Sequence, residues 1–337
     1  MRQRFFSFVP VLSVILLYAA MTAYAVIRIV QLNDGLFTYG FDDAYIHLTL
    51  SRNLALHGAW GLTPDQFSWS ISSFTWPLLE AALILIKPSW VLIAPLILNI
   101  ICSIALLILV DRLLYREGWS WLRRAFAGIL LLFLLPLVNQ TTMGMEHLLH
   151  AVVAIAFFGT FARVFSTDPP SWKDEFLFLL FGMLTVATRF EGGFMIAMSS
   201  LMLFLIRRWR LGIMVAIAGL LPIIVGGVIG VAHGWNFLPN SVYLKSITIR
   251  FQEKAGLQFL ADYRRALFYT FIPFFTLVLA NLRIRSLTAT DRLPFVSRII
   301  KGLKTPSPRL AELIVFLGMV IAHMIFGRIG QLQRYEV

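Results

Sequence analysis

Apolar residues gather along this chain in long runs, and the short stretches between them hold most of the charge. A helix of about 20 apolar residues rises about 30 Å, the thickness of a bilayer's hydrocarbon core. The runs predict helices at 9–30, 90–110, 125–138, 147–165, 176–188, 193–206, 211–232, 266–282 and 310–326. Several are shorter than a straight span, which suits tilted or partly re-entrant helices. One further run, 74–86, is short, contains Glu80 and follows a Trp/Ser-rich stretch. It reads either as a further span or as a helix lying on the membrane surface. The pattern predicts an all-α membrane protein, a polytopic bundle of about 9–10 transmembrane helices. Ala23-Tyr24-Ala25 has the small-residue spacing of a signal-peptidase site. The apolar run continues past it through Val26, Ile27, Ile29 and Val30, so an uncleaved first helix is expected.

Composition excludes a soluble reading. Of 337 residues, 59% are hydrophobic and 14% charged, and the mean hydropathy is +0.80. Soluble domains carry about a quarter charged residues, so this chain has too little polar surface to cover itself in water. Its bilayer is its first partner. The formal charge of +12 suggests nucleic acid until the charges are placed. With 74–86 on the surface, 18 of the 29 Lys and Arg fall on the side of the N-terminus. The positive-inside rule makes that side cytoplasmic. Residues 31–89 then form the first extracytoplasmic loop, and 283–309 a basic cytoplasmic loop that can touch anionic headgroups. No nucleic-acid partner is expected. Cys102 is the single cysteine, so neither an internal disulfide nor a thiolate metal site exists. No internal repeat is visible, and 1–337 reads as one transmembrane module.

The same topology gathers polar clusters on the outer face. Phe41-Asp42-Asp43-Ala44-Tyr45-Ile46-His47 follows the first helix. No Pro or Gly interrupts 41–57, which predicts a surface helix ended by Gly58, with Asp43 and His47 on one face. Gly144-Met145-Glu146-His147 opens the helix at 147, and Thr188-Arg189-Phe190-Glu191-Gly192 forms a turn. Leu238-Pro239-Asn240-Ser241-Val242-Tyr243-Leu244-Lys245 follows, and Arg334 emerges after the last helix. Each cluster has a plain structural alternative. Asp42, Asp43 and Glu146 are acids at helix starts, which the macrodipole favours. Arg189 and Glu191 can be an ion pair, Lys245 a snorkelling lysine, and His47 and His147 interfacial histidines. Together the clusters suggest more, because ionisable groups at membrane depth are expensive and tend to mark function. Adjacent carboxylates suit general-base work, and nearby cations suit a phosphate. Asp42 and Asp43 could also hold Mg²⁺ or Mn²⁺ through oxygen ligands.

These residues, in this order, resemble the polytopic GT-C glycosyltransferases, and within them bacterial polyprenyl-phosphate-sugar-dependent arabinofuranosyl- and mannosyltransferases. The likeness is carried by Asp42-Asp43-Ala44-Tyr45-Ile46 with Arg52-Asn53-Leu54-Ala55, and by Ser72-Ser73-Phe74-Thr75-Trp76-Pro77. Gly144-Met145-Glu146, Thr188-Arg189-Phe190-Glu191-Gly192 and Leu238 to Lys245 complete it. The resemblance implies a GT-C-like bundle with juxtamembrane helices in the first outer loop. It implies an inverting transfer on the extracytoplasmic face of the cell membrane, from a polyprenyl-phosphate sugar to a glycan, lipid or protein acceptor. Asp42 or Asp43 would be the base, and Lys245, Arg189 or Arg334 would meet the donor phosphate. Glu191, Glu146, His147, His47 and Tyr243 would bind substrate. Phe190 stands where the family pattern has Pro, which puts that turn's geometry in question. Relatives continue beyond the point where this chain stops, so a shortened member is expected. A lipid-linked-sugar flippase or transporter, or an oligosaccharide ligase or polymerase, is the alternative. The best transporter feature is 211–232, where Pro222, Gly226, Gly227 and Gly230 could break a helix.

Overall fold

The structure is a computed structural model of the chain, and it describes residues 2–245 and 308–326. The described residues are helical, and their only strand-like feature is an isolated bridge between Thr63 and Gln66. In chain order the helices are α1 (Arg2–Leu32), α2 (Asp42–His57), α3 (Thr75–Ile86), α4 (Ala94–Arg116), α5 (Trp121–Leu134) and α6 (Leu137–Thr142). After them come α7 (His147–Ser166), α8 (Trp172–Thr188), α9 (Gly192–Leu205), α10 (Trp209–Ala232), α11 (Asn240–Lys245) and α12 (Pro308–Phe326). Among the described residues, four helical stretches are long and apolar enough to cross a membrane: Phe8–Leu32, Ala94–Arg116, His147–Ser166 and Trp209–Ala232. The protein is a helical membrane protein. The helix expected at 266–282 and the basic loop at 283–309 lie outside the described residues, apart from the first turn of α12.

Proline sets the boundaries that hydropathy misplaces. The run 125–138 is not one helix: α5 ends at Leu134 and α6 begins at Leu137. Pro136 has no amide hydrogen to give back to the preceding turn, and its ring disfavours a helical residue before it. The helix expected at 90–110 begins at Ala94 and runs on to Arg116. Pro95 sits in its first turn, where a missing amide costs nothing. The α8 helix starts earlier than its apolar run, because the Ser171 hydroxyl caps it by accepting from the Asp174 amide at 3.2 Å. By contrast α10 runs unbroken through Pro222.

The chain divides into two compact units, residues 1–152 and the part from 153 onward. In the first unit α1 packs on α4, α5 and α6, while α2 packs on α3 and α3 on α4. Inside the apolar contact between α1, α4 and α6 the Thr141 hydroxyl joins Tyr18 (2.8 Å) and Ser103 (3.0 Å). Arg124 on α5 grips Asp111 on α4 through two parallel bonds, Nε to Oδ1 at 2.8 Å and Nη2 to Oδ2 at 2.5 Å. This geometry neutralises a buried guanidinium. The second unit packs α10 on α8 and α9, and α12 on α9. Its core is aromatic, with Phe157 stacked on Phe178 at 5.2 Å and Phe161 wedged against Phe165 and Phe178.

The loop 31–89 is built around α2 and α3. With 12 residues α3 rises about 18 Å, well short of a hydrocarbon core. Ahead of α2, the Tyr39 hydroxyl donates to the Leu92 carbonyl (2.7 Å) and accepts from the Leu96 amide (3.2 Å). The start and the end of the segment are thereby tied to one point.

Candidate functional site

The first unit assembles two of the sequence clusters. Helix α2 buries Ala44, His47, Leu48 and Ser51, spaced three and four residues apart, which makes one face. Gly58 ends it as expected, at φ 70°, with the Gly58 and Ala59 amides returning to Leu54 O (3.0 Å) and Asn53 O (3.3 Å). That closure is the Schellman pattern, which favours glycine. Asp42 and Asp43 occupy the first turn of α2, where unpaired amides favour carboxylates. The Asp43 amide donates to Asp42 Oδ1 at 3.0 Å. Asp42 is exposed and Asp43 half-buried.

One turn further, His47 is buried, and its Nε2 lies 3.9 Å from Glu146 Oε2. Glu146 and His147 are buried too, at the head of α7. Gly144 makes this approach possible. It takes φ 76°, and a Cβ on it would sit 2.6 Å from the Tyr39 ring and 3.1 Å from Ala44. The turn at Met143–Met145 therefore packs directly on the α2 face, together with Phe37, Tyr39 and Leu48. Burial pushes the Tyr39 phenol far up, against the pull of the Leu96 amide.

Glu80 is the site residue that the sequence reading did not pick out. It projects from α3, is fully buried, and lies 2.6 Å from the Ser51 hydroxyl of α2. Complete burial drives its carboxyl well above the usual range; the Ser51 hydroxyl draws it back in part, and the charge of Glu146 pushes it further up. Trp76, one turn earlier, donates its indole N–H to the Gly144 carbonyl at 3.3 Å. The α3 helix thus touches both clusters. The available signal was a lone acid in the apolar run 74–86, since a charge in such a place is expensive.

In the second unit the Arg189 guanidinium donates to Glu191 Oε1 at 3.0 Å, across the turn between α8 and α9. Phe190 between them packs against the core of this unit. Thr188 is buried and donates to the Leu184 carbonyl at 2.7 Å. Tyr243 and Lys245 belong to the helical turn α11, but their side chains lie outside the described part, as does all of Arg334.

Chemically, the open end of α2 offers carboxylates that can accept a proton, beside a buried cluster of Glu80, Glu146 and His47. Among the described residues no three His, Cys, Asp or Glu side chains group to hold a metal ion. The Asp42-Asp43 pair retains the two carboxylates with which Mg²⁺ commonly sits beside substrate phosphate oxygens. No family model matches the chain, and neither does any curated protein or solved structure.

Proposed function

We propose that the chain is a membrane glycosyltransferase that moves a sugar from a polyprenyl phosphate to an acceptor hydroxyl outside the cytoplasm. The observation that supports it most is the meeting of two acidic motifs, each of which the sequence resemblance singles out. Asp42-Asp43 opens α2, and Gly144-Met145-Glu146 folds onto the same helix. An exposed carboxylate at a helix start, backed by buried ionisable groups, is an arrangement suited to proton abstraction.

In this reading Asp42 or Asp43 takes the proton of the acceptor hydroxyl. The acceptor oxygen attacks the anomeric carbon, the sugar–phosphate bond breaks, and configuration inverts. The bonding pair leaves with the polyprenyl phosphate, whose growing negative charge calls for a cation; the sequence resemblance names Lys245, Arg189 and Arg334 as the candidates. A cation there stabilises the transition state more than the bound donor. Of the residues that the resemblance names for substrate, Glu146, His47 and His147 are buried and would support the start of α2 from beneath, and Glu191 and Tyr243 remain candidates for direct contact. The acceptor is a glycan, a lipid or a protein. A divalent metal held by Asp42 and Asp43 would steady the phosphate oxygens.

The transporter alternative drew on a helix broken at Pro222, and α10 is continuous there. The deciding experiment incubates membranes, with and without the chain, against a panel of radiolabelled polyprenyl-phosphate sugars. Transfer of label to an endogenous acceptor, abolished by Asp42→Asn or Asp43→Asn, is the expected result. Chain-dependent movement of intact donor across the bilayer, without transfer, would overturn it.

A further inference from the structure

We propose that Glu80 carries its proton in the folded protein and, as a neutral donor acting through Ser51, positions the His47 turn of α2 against Glu146. The inference goes beyond the transferase reading and does not depend on it.

A count of hydrogens carries the proposal. The Ser51 oxygen lies 2.7 Å from the His47 carbonyl oxygen and 2.6 Å from Glu80 Oε2. Both separations are those of full O–H···O hydrogen bonds. Ser51 has one hydroxyl hydrogen, and the His47 carbonyl has none to offer. The serine therefore donates to His47, and the second hydrogen comes from the carboxyl: Glu80 O–H donates to the Ser51 oxygen. An ionised Glu80 would leave two oxygens facing each other at hydrogen-bond distance with no hydrogen between them.

The surroundings agree. No described ion pair includes Glu80. Its Oε1 is buried without a full hydrogen bond, which a carboxylate tolerates badly and a carboxylic acid's carbonyl tolerates better; the Trp76 indole, engaged with the Gly144 carbonyl, draws on the carboxyl only as the smallest of the influences acting on it. Of the titratable groups on the elements around it, His47 on α2, Tyr39 ahead of α2, and Glu146 and His147 at the head of α7 are buried, whereas Asp42, Tyr45, Arg52 and His57 on α2 and Lys87 at the end of α3 are exposed and Asp43 is half-buried. The α4 helix, its other neighbour, carries no ionisable side chain before Asp111 except Cys102. The charge of Glu146 acts against ionisation of Glu80, since two neighbouring carboxylates cannot both ionise cheaply. The consequence is a chain of hydrogen bonds from α3 to the α2 backbone, Glu80 to Ser51 to His47 O, that fixes the turn from which His47 reaches Glu146.

Infrared difference spectroscopy of the full chain in lipid vesicles tests this at about pH 7, well above the usual carboxylic acid range. Subtracting the spectrum of Glu80→Gln from that of the wild type should reveal the carbonyl stretch of an undissociated carboxylic acid that shifts on deuteration. Loss of a carboxylate stretch in its place would overturn the proposal. Ser51→Ala keeps the acid but removes its acceptor, so the same band should move to higher frequency; an unmoved band refutes the Ser51 link. The Glu80→Gln amide can still donate to Ser51 and should melt within about 2 °C of the wild type, whereas Glu80→Ala should lose about 3–10 °C. Equal losses in the two variants would mean that bulk, not donation, is what Glu80 supplies. None of these readouts requires turnover, so an inactive chain with the acid band would sink the transferase reading and leave this one standing.

Discussion

At the scale of single residues, Asp42 and Glu80 are opposites. Asp42 is exposed at the open end of α2; Glu80 is sealed beneath the same helix. Only the first is open to solvent. Replacing Asp42 or Asp43 by Asn keeps size and removes the acceptor. One of these two variants should lower sugar transfer by about 10²–10⁴-fold, the usual contribution of a general base. Two variants that both keep near-full turnover would take the base away from this pair. Asp42 was legible because adjacent acids after a span stand out in sequence. Glu80 was visible too, but it bore on whether 74–86 spans, and a lone acid in an apolar run says nothing about its partner. Ser51 supplies that partner from another helix, and its link to Glu80 arises only when α2 and α3 pack.

At the scale of elements, the hydropathy pattern located nearly every described helix and misplaced ends where backbone chemistry, not apolarity, decides. Gly58 could be read from sequence because a helix stop by a left-handed glycine is local. Pro136 and Ser171 act locally as well, but a count of apolar residues passes over them. The Gly144 turn was beyond reach, since its φ answers to Tyr39 in another segment. Gly144→Ala should destabilise the protein by about 1–3 kcal/mol, from a strained φ and a Cβ 2.6 Å from the Tyr39 ring. Thermal unfolding measures this. An unchanged melting temperature for the single variant would contradict the close approach. The short α3 helix also bears on topology. Gln66 and Ser89 are both exposed, on either side of it. A membrane-impermeant thiol reagent applied from outside should label Gln66→Cys and Ser89→Cys alike. Labelling of the first alone would mean that α3 crosses the membrane.

At the scale of the molecule, buried acids leave a trace in stability. An exposed Glu ionises near 4.5, the ordinary value, whereas folded Glu80 keeps its proton to much higher pH. Between those two points the folded state binds more protons than the unfolded one, so stability falls as pH rises through the interval. Glu80→Gln has no proton to lose. Its stability relative to the wild type should rise between about pH 5 and about pH 8. A difference that stays the same at both would mean that Glu80 ionises as it does in water.

The Tyr39 clasp has a consequence for how this architecture can change. One hydroxyl holds both Leu92 and Leu96, so everything from Tyr39 to Leu96 leaves and returns to the same place. Such a segment is a cassette. Chain added near the exposed Asp65 lengthens a loop that is already closed, and each doubling of loop length costs only about 0.6 kcal/mol. Variation can therefore accumulate at its tip while the transmembrane helices that carry it stay as they are.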